Sequence, residues 1–112
     1  MTVYGLSQSS GVERVLEVEQ ADSQLLLHIH DLPEQPRERI IVPSAEVVAA
    51  LTSAAPGAKT IAGQAPVVGT KELLDIEVRG NEVLLWVRPE SGDGWDIAVG
   101  LDDFQDAVEA VA

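Results

Sequence analysis

Apolar and polar positions alternate through two stretches of the chain, Val15 to His30 (VLEVEQADSQLLLHIH) and Leu73 to Arg88 (LLDIEVRGNEVLLWVR). A period of two, interrupted by a polar pair, predicts two strands joined by a tight turn. Gly80-Asn81 is a two-residue hairpin signal, and Asp22-Ser23 occupies the same place in the first stretch. Shifting the chain by 58 positions superposes the stretches: Thr2, Gly5, Gly11, Leu16, Glu19, Leu26 and Leu27 fall on Thr60, Gly63, Gly69, Leu74, Glu77, Leu84 and Leu85. With the next loop one residue shorter, Ile40, Val42 and Ala50 meet Ile97, Val99 and Ala107. The pattern is that of an internal duplication.

Each copy reads as four strands and a helix. The first strands are TVYGLS and KTIAGQ, the second ERVLEVEQ and KELLDIEV, the third QLLLHIHD and EVLLWVRP, the fourth ERIIVP and GWDIAV. Pro and Gly in LPEQPR and ESGD break the chain before the fourth strands. Val47, Ala50, Leu51 and Ala54 then form a helical stripe, with Ser44 as its N-cap, and Phe104, Ala107, Val108 and Val111 repeat the spacing. Pro56 and Gly57 mark the joint between the copies. The expected fold class is therefore α+β: a duplicated ββββα-ββββα unit, with antiparallel sheets and two helices about a pseudo-twofold axis. It forms one domain over 1–112, with copy one at 2–55 and copy two at 60–112. A copy alone would bury too little surface, so the two should share a core.

Composition narrows the function classes. Apolar residues make up 46% of the 112 residues and aromatics only 4%, so the core rests on aliphatic side chains. The formal net charge is −12, divided between the halves as −5 for residues 1–57 and −7 for 58–112. That field favours solubility and basic partners and repels nucleic acid and anionic membranes. The absence of Cys excludes disulfides, thiolate metal sites and a cysteine nucleophile. No apolar run is long enough to span a membrane, and the N-terminus lacks the pattern of a secretory signal, so the expected setting is cytoplasmic.

The duplicated four-strand-and-helix order resembles the fold of the single-stranded-DNA-binding transcriptional regulators. These include the C-terminal domain of the transcriptional coactivator positive cofactor four and the plant Whirly proteins, which carry two units per chain. The resemblance implies a sheet face that holds single-stranded nucleic acid through basic and aromatic side chains. The Lys-Gly-Lys-Gly type of motif found in Whirly proteins is missing; the nearest stretch is PGAKTIAG, with the single Lys59. No functional residue is carried over.

Strand alternation divides the side chains between two faces. Leu16, Val18, Leu74, Ile76, Leu85 and Val87 lie on the core side. The other side carries Val15, Leu26, His28, His30, Ile41, Leu73, Leu84, Trp86 and Arg88 among carboxylates. A face that met only water would be more uniformly polar, so these nine residues are the expected partner-binding face. The partner would be protein, either a second copy in a homodimer or a basic protein. Trp86, Arg79 and Arg88 offer a nucleic acid one ring and two charges, against Glu17, Glu19, Asp75 and Glu77.

Catalytic and cofactor chemistry finds little footing. His28 and His30 share one side of a strand, about 7 Å apart by strand rise. The chain has no third His, so a metal there would need carboxylates, and ordinary histidines account for the pair. The pairs Glu17/Glu19 and Asp102/Asp103 lie on solvated stripes and in a helix's first turn, without the burial that separates the pKa values of a working dyad. GQAPVVGTK lacks the Lys-Ser/Thr ending and the following helix of a phosphate loop. GDGWD lacks the oxygen spacing of a calcium loop and reads as a turn, with Trp95 packed at a sheet edge. The expectation is a small acidic protein that is not an enzyme, needs no metal or cofactor, and works through protein contacts. The alternative is nucleic-acid binding or a transcription-related role by kinship of fold.

Overall fold

The computed structural model describes residues 1–31, 38–52, 57–66, 69–89 and 94–111. Among these residues lie eight strands: β1 (Thr2–Leu6), β2 (Glu13–Ala21), β3 (Gln24–Asp31), β4 (Glu38–Pro43), β5 (Lys59–Gln64), β6 (Lys71–Arg79), β7 (Glu82–Pro89) and β8 (Trp95–Gly100). Helix α1 (Ser44–Thr52) follows β4 and helix α2 (Leu101–Val111) follows β8. The loops read at 32–37 and 90–93, and the breaker Pro56, lie outside the described residues.

Consecutive strands pair antiparallel around the molecule, and β8 returns to β1, so the sheet is a closed barrel. This overturns the expected α+β class with its antiparallel sheets: the architecture is a closed eight-stranded antiparallel barrel with two short helices. Alternation reports which side of a strand is apolar, and an inward-facing row in a barrel has the same period as the inner face of an open sheet. Closure depends on pairing between distant strands, which the local pattern does not encode.

The strand registers repeat under the 58-residue shift. Leu16 pairs with Ile29 as Leu74 pairs with Val87, and Gly5 with Arg14 as Gly63 with Glu72. The two seams that close the barrel also correspond, Leu6 with Ala98 between β1 and β8, and Gln64 with Ile41 between β5 and β4. Gly5 and Gly63 make that approach sterically feasible. A Cβ on Gly5 would collide with the carbonyl oxygen of Ala98, and one on Gly63 would lie 2.5 Å from that of Ile41.

An eight-stranded barrel has an interior that side chains just fill. Leu16, Val18, Leu25, Leu27, Ile29, Ile40, Leu74, Ile76, Leu85 and Ile97 fill it here. Strands β4 and β8 run in the same direction, so both helices leave from one end of the barrel. Helix α1 packs on β3, β4, β5 and β6, and α2 on β1, β2, β7 and β8, each across one seam. Val47 and Leu51 of α1, and Phe104, Ala107 and Val108 of α2, complete the core where the strands diverge. Ala50 and Val111 are only partly buried against that core, and Ala54 lies outside the described residues. The Ser44 hydroxyl does not act as the expected cap: it donates to the carbonyl of Ser23, 2.9 Å away, tying α1 to the β2–β3 turn. No helix among the described residues is long and apolar enough to cross a membrane.

Candidate functional site

At the end opposite the helices the barrel interior turns polar. Arg14 follows the inward parity of Leu16 and Val18, and its guanidinium lies over the Trp95 ring, 4.4 Å from the centroid. Its Nε donates to Asp31 Oδ1 at 2.9 Å, and Nη1 donates to the Asp96 carbonyl at 2.7 Å and to Asp96 Oδ1 at 3.2 Å. Asp96 also accepts from the Ser7 and Ser9 hydroxyls and from the backbone N–H groups of Gln8 and Ser9. Burial alone would push the Asp96 carboxyl up. The hydrogen bonds from Ser9, Ser7 and the backbone of Gln8 and Ser9 outweigh it and hold the group below its ordinary value. Trp95 is thus the floor of a charged plug and not a sheet-edge residue. Arg14, Asp31, Asp96, Ser7 and Ser9 bond to one another, and the plug acts as structure.

The nine residues expected to share one face lie instead around the outside of a cylinder. Val15, Leu26, His28, His30 and Ile41 belong to β2, β3 and β4; Leu73, Leu84, Trp86 and Arg88 belong to β6 and β7. Barrel closure puts these groups on opposite walls. Val15 is 3% exposed and His30 8%, so neither offers a docking surface. Leu26, His28, Ile41, Leu73 and Leu84 are half-buried, while Trp86 and Arg88 are exposed.

Each wall carries a clamp at the same register. On one, Glu17 pairs across the ladder with His28, and its Oε2 lies 3.4 Å from His28 Nδ1 and 3.7 Å from His30 Nε2. On the other, Asp75 pairs with Trp86 and is held by Arg88, whose Nε is 2.7 Å from Oδ2 and whose Nη2 is 3.1 Å from Oδ1. Thr60 also donates to Asp75, at 2.7 Å. No three His, Asp or Glu among the described residues are grouped so that they could hold a metal ion.

Trp86 is half exposed yet constrained. The ladder places it between Asp75 and Asp96, and its indole edge lies so close to Gly94 that a Cβ there would overlap Nε1. It borders a groove of about 430 Å³ lined also by Gln8, Ser9, Asp75, Glu77, Arg79, Leu84 and Asp96. The next ladder row runs Glu77, Leu84, Ala98, Leu6, Glu13 across the β8–β1 seam. Leu6 is 48% exposed, Trp86 50%, and Tyr4, beyond Leu6 on β1, 69%. Tyr4, Leu6 and Trp86, with the half-buried Leu84, therefore form an apolar stripe on β1 and β7 of the outer wall, bridged by Ala98 of β8, which is 7% exposed.

Sequence reasoning found Leu84 and Trp86 but missed Tyr4 and Leu6. Their outward parity on a short strand was readable, but their adjacency to β7 and β8 exists only after closure. The opposite seam provides an internal comparison. Positions equivalent to Tyr4, Leu6 and Trp86 are Ala62, Gln64 and His28, so the fold does not require large exposed apolar groups there. No family model, curated protein or solved structure matches the chain.

Proposed function

We propose that this protein is a non-catalytic binding module of the cytoplasm that engages a protein partner through the stripe on β7, β8 and β1. The comparison of the two seams carries the reading: the register is identical, yet Tyr4, Leu6 and Trp86 are large, apolar and exposed where the equivalent positions hold Ala62, Gln64 and His28. Exposed apolar patches with an aromatic anchor are characteristic of protein interaction surfaces. The interior is filled by aliphatic side chains, and the polar end is occupied by the Arg14 plug, so the outer wall is the favoured place for a partner.

The test compares two triple variants of the full chain. Tyr4→Ser/Leu6→Ser/Trp86→Ser removes the stripe; Ala62→Ser/Gln64→Ser/His28→Ser changes the equivalent positions at the other seam. The stripe variant should keep the wild-type melting temperature within a few degrees and lose the proteins that wild type retains in cross-linking. The second variant should retain them. Equal retention by all three chains would defeat the proposal, as would a stripe variant that no longer folds. Binding of labelled single-stranded DNA at low salt, abolished by the stripe variant, would replace the protein reading with a nucleic-acid one.

A further inference from the structure

We infer that the occupant of the stripe is a basic protein surface, with cationic side chains along β2 and apolar ones along β1 and β7, and not a second copy of this chain. The inference rests on the stripe being a protein-binding surface and adds the chemistry of the partner. Charge around the stripe points to it. Strand β1 pairs with β2 so that Thr2, Tyr4 and Leu6 face Glu17, Val15 and Glu13. The outward carboxylates of β2 form a rail that starts beside the stripe: Glu13 lies against Leu6, Glu17, held near His28 and His30, lies against Thr2, and Glu19 follows further along the strand. Glu13 and Glu19 are exposed, and the Glu17 side chain is 39% exposed.

Three nearby arginines are already engaged with carboxylates, and the N-terminal ammonium donates to the Val18 carbonyl at 2.9 Å. Arg14 is bound to Asp31 and Asp96, Arg79 to Glu77 at 3.0 Å, and Arg88 to Asp75 at 2.7 Å. A second copy would bring the same rail and another net charge of −12 against this one. Like charges across an interface are repulsive, whereas a basic partner gains both encounter rate and register from such a rail. Trp86 adds a ring face on which a lysine or arginine of the partner can rest.

The probe is a capped, labelled peptide of alternating Leu and Lys, with an alternating Leu and Glu peptide as control, titrated into the full chain at low and at physiological salt. The Lys peptide should bind about tenfold or more tighter than the Glu peptide, an affinity difference of about 1.4 kcal/mol. Glu13→Lys/Glu19→Lys on the rail should weaken it about tenfold. Asp106→Lys/Glu109→Lys on α2, which alters net charge equally, should weaken it by less than about threefold. Equal loss from both charge variants would mean that only the overall field acts, and would overturn the basic-surface inference. Equal binding of the two peptides would do the same. Light scattering that finds a dimer dispersed by Tyr4→Ser/Leu6→Ser/Trp86→Ser would overturn the partner's chemistry while upholding the stripe. Unchanged Lys-peptide binding by that triple variant would instead overturn the stripe reading itself.

Discussion

Asp96 ties together parts of the chain that lie far apart in sequence. Both oxygens are engaged, by Arg14, by two serine hydroxyls and by two backbone amides of the β1–β2 loop. Asp96→Asn keeps the shape but loses the charge that these donors serve, and should cost about 1–3 kcal/mol in urea unfolding near neutral pH. The pH dependence has a defined sign. A carboxyl held below its ordinary value in the folded state contributes stability above the unfolded-state pKa, about 3.9. That contribution is lost as pH falls through this value toward the lower folded one. The stability gap between wild type and Asp96→Asn should therefore narrow as pH drops below about 4. A gap that stayed constant would assign the loss to geometry alone. Asp22 is a second residue-scale case. It has φ of +58° at the first turn position of the β2–β3 hairpin, where the other hairpin has Gly80 at +60°. Asp22→Gly relieves that strain and should stabilise the protein by about 1 kcal/mol, read as a raised melting temperature.

At the scale of elements, the two seams and the helices across them decide whether the barrel exists. The hairpins were legible: their turns, strand spans and inward residues follow from alternation and turn chemistry, and Leu74, Ile76, Leu85 and Val87 are at most 1% exposed. The seams were not legible, because β1 and β8 meet from opposite ends of the chain, through a close backbone approach that leaves no periodic mark. Gly5→Ala and Gly63→Ala place a methyl group against a carbonyl oxygen of the neighbouring strand, and each should destabilise by about 1–3 kcal/mol in thermal unfolding. Gly100→Ala meets only the movable Asp103 side chain, 3.1 Å away, and should cost less. If all three behaved alike, the seam glycines would not be special. Phe104, fully buried on α2, fills the core where β1 and β8 diverge. Phe104→Ala should cost about 3–5 kcal/mol, and a loss below 1 would show that α2 is not part of the core.

For the whole molecule, closure decides both the fold class and the map of the candidate site. Nine outward residues that alternation grouped on one face are split between two walls, and two of them, Val15 and His30, are buried. Leu84 and Trp86 were legible as outward apolar residues, while Tyr4 and Leu6 join them only because β1 closes onto β8. The acidic balance was legible from composition; the placement of Glu13 against Leu6, with Glu17 and Glu19 further along β2, requires the β1–β2 register and the closed wall together. The sequence by itself determined the local order: where strands and turns fall, which side of each strand is apolar, and that two halves share one register. These depend on neighbours a few residues apart, where periodicity and turn chemistry act. Only the tertiary structure decided that the strands form a closed barrel, that the helices complete its core, and which apolar residues remain exposed. Those outcomes depend on contacts between distant segments, and a period of two is the same in a flat sheet and in a cylinder.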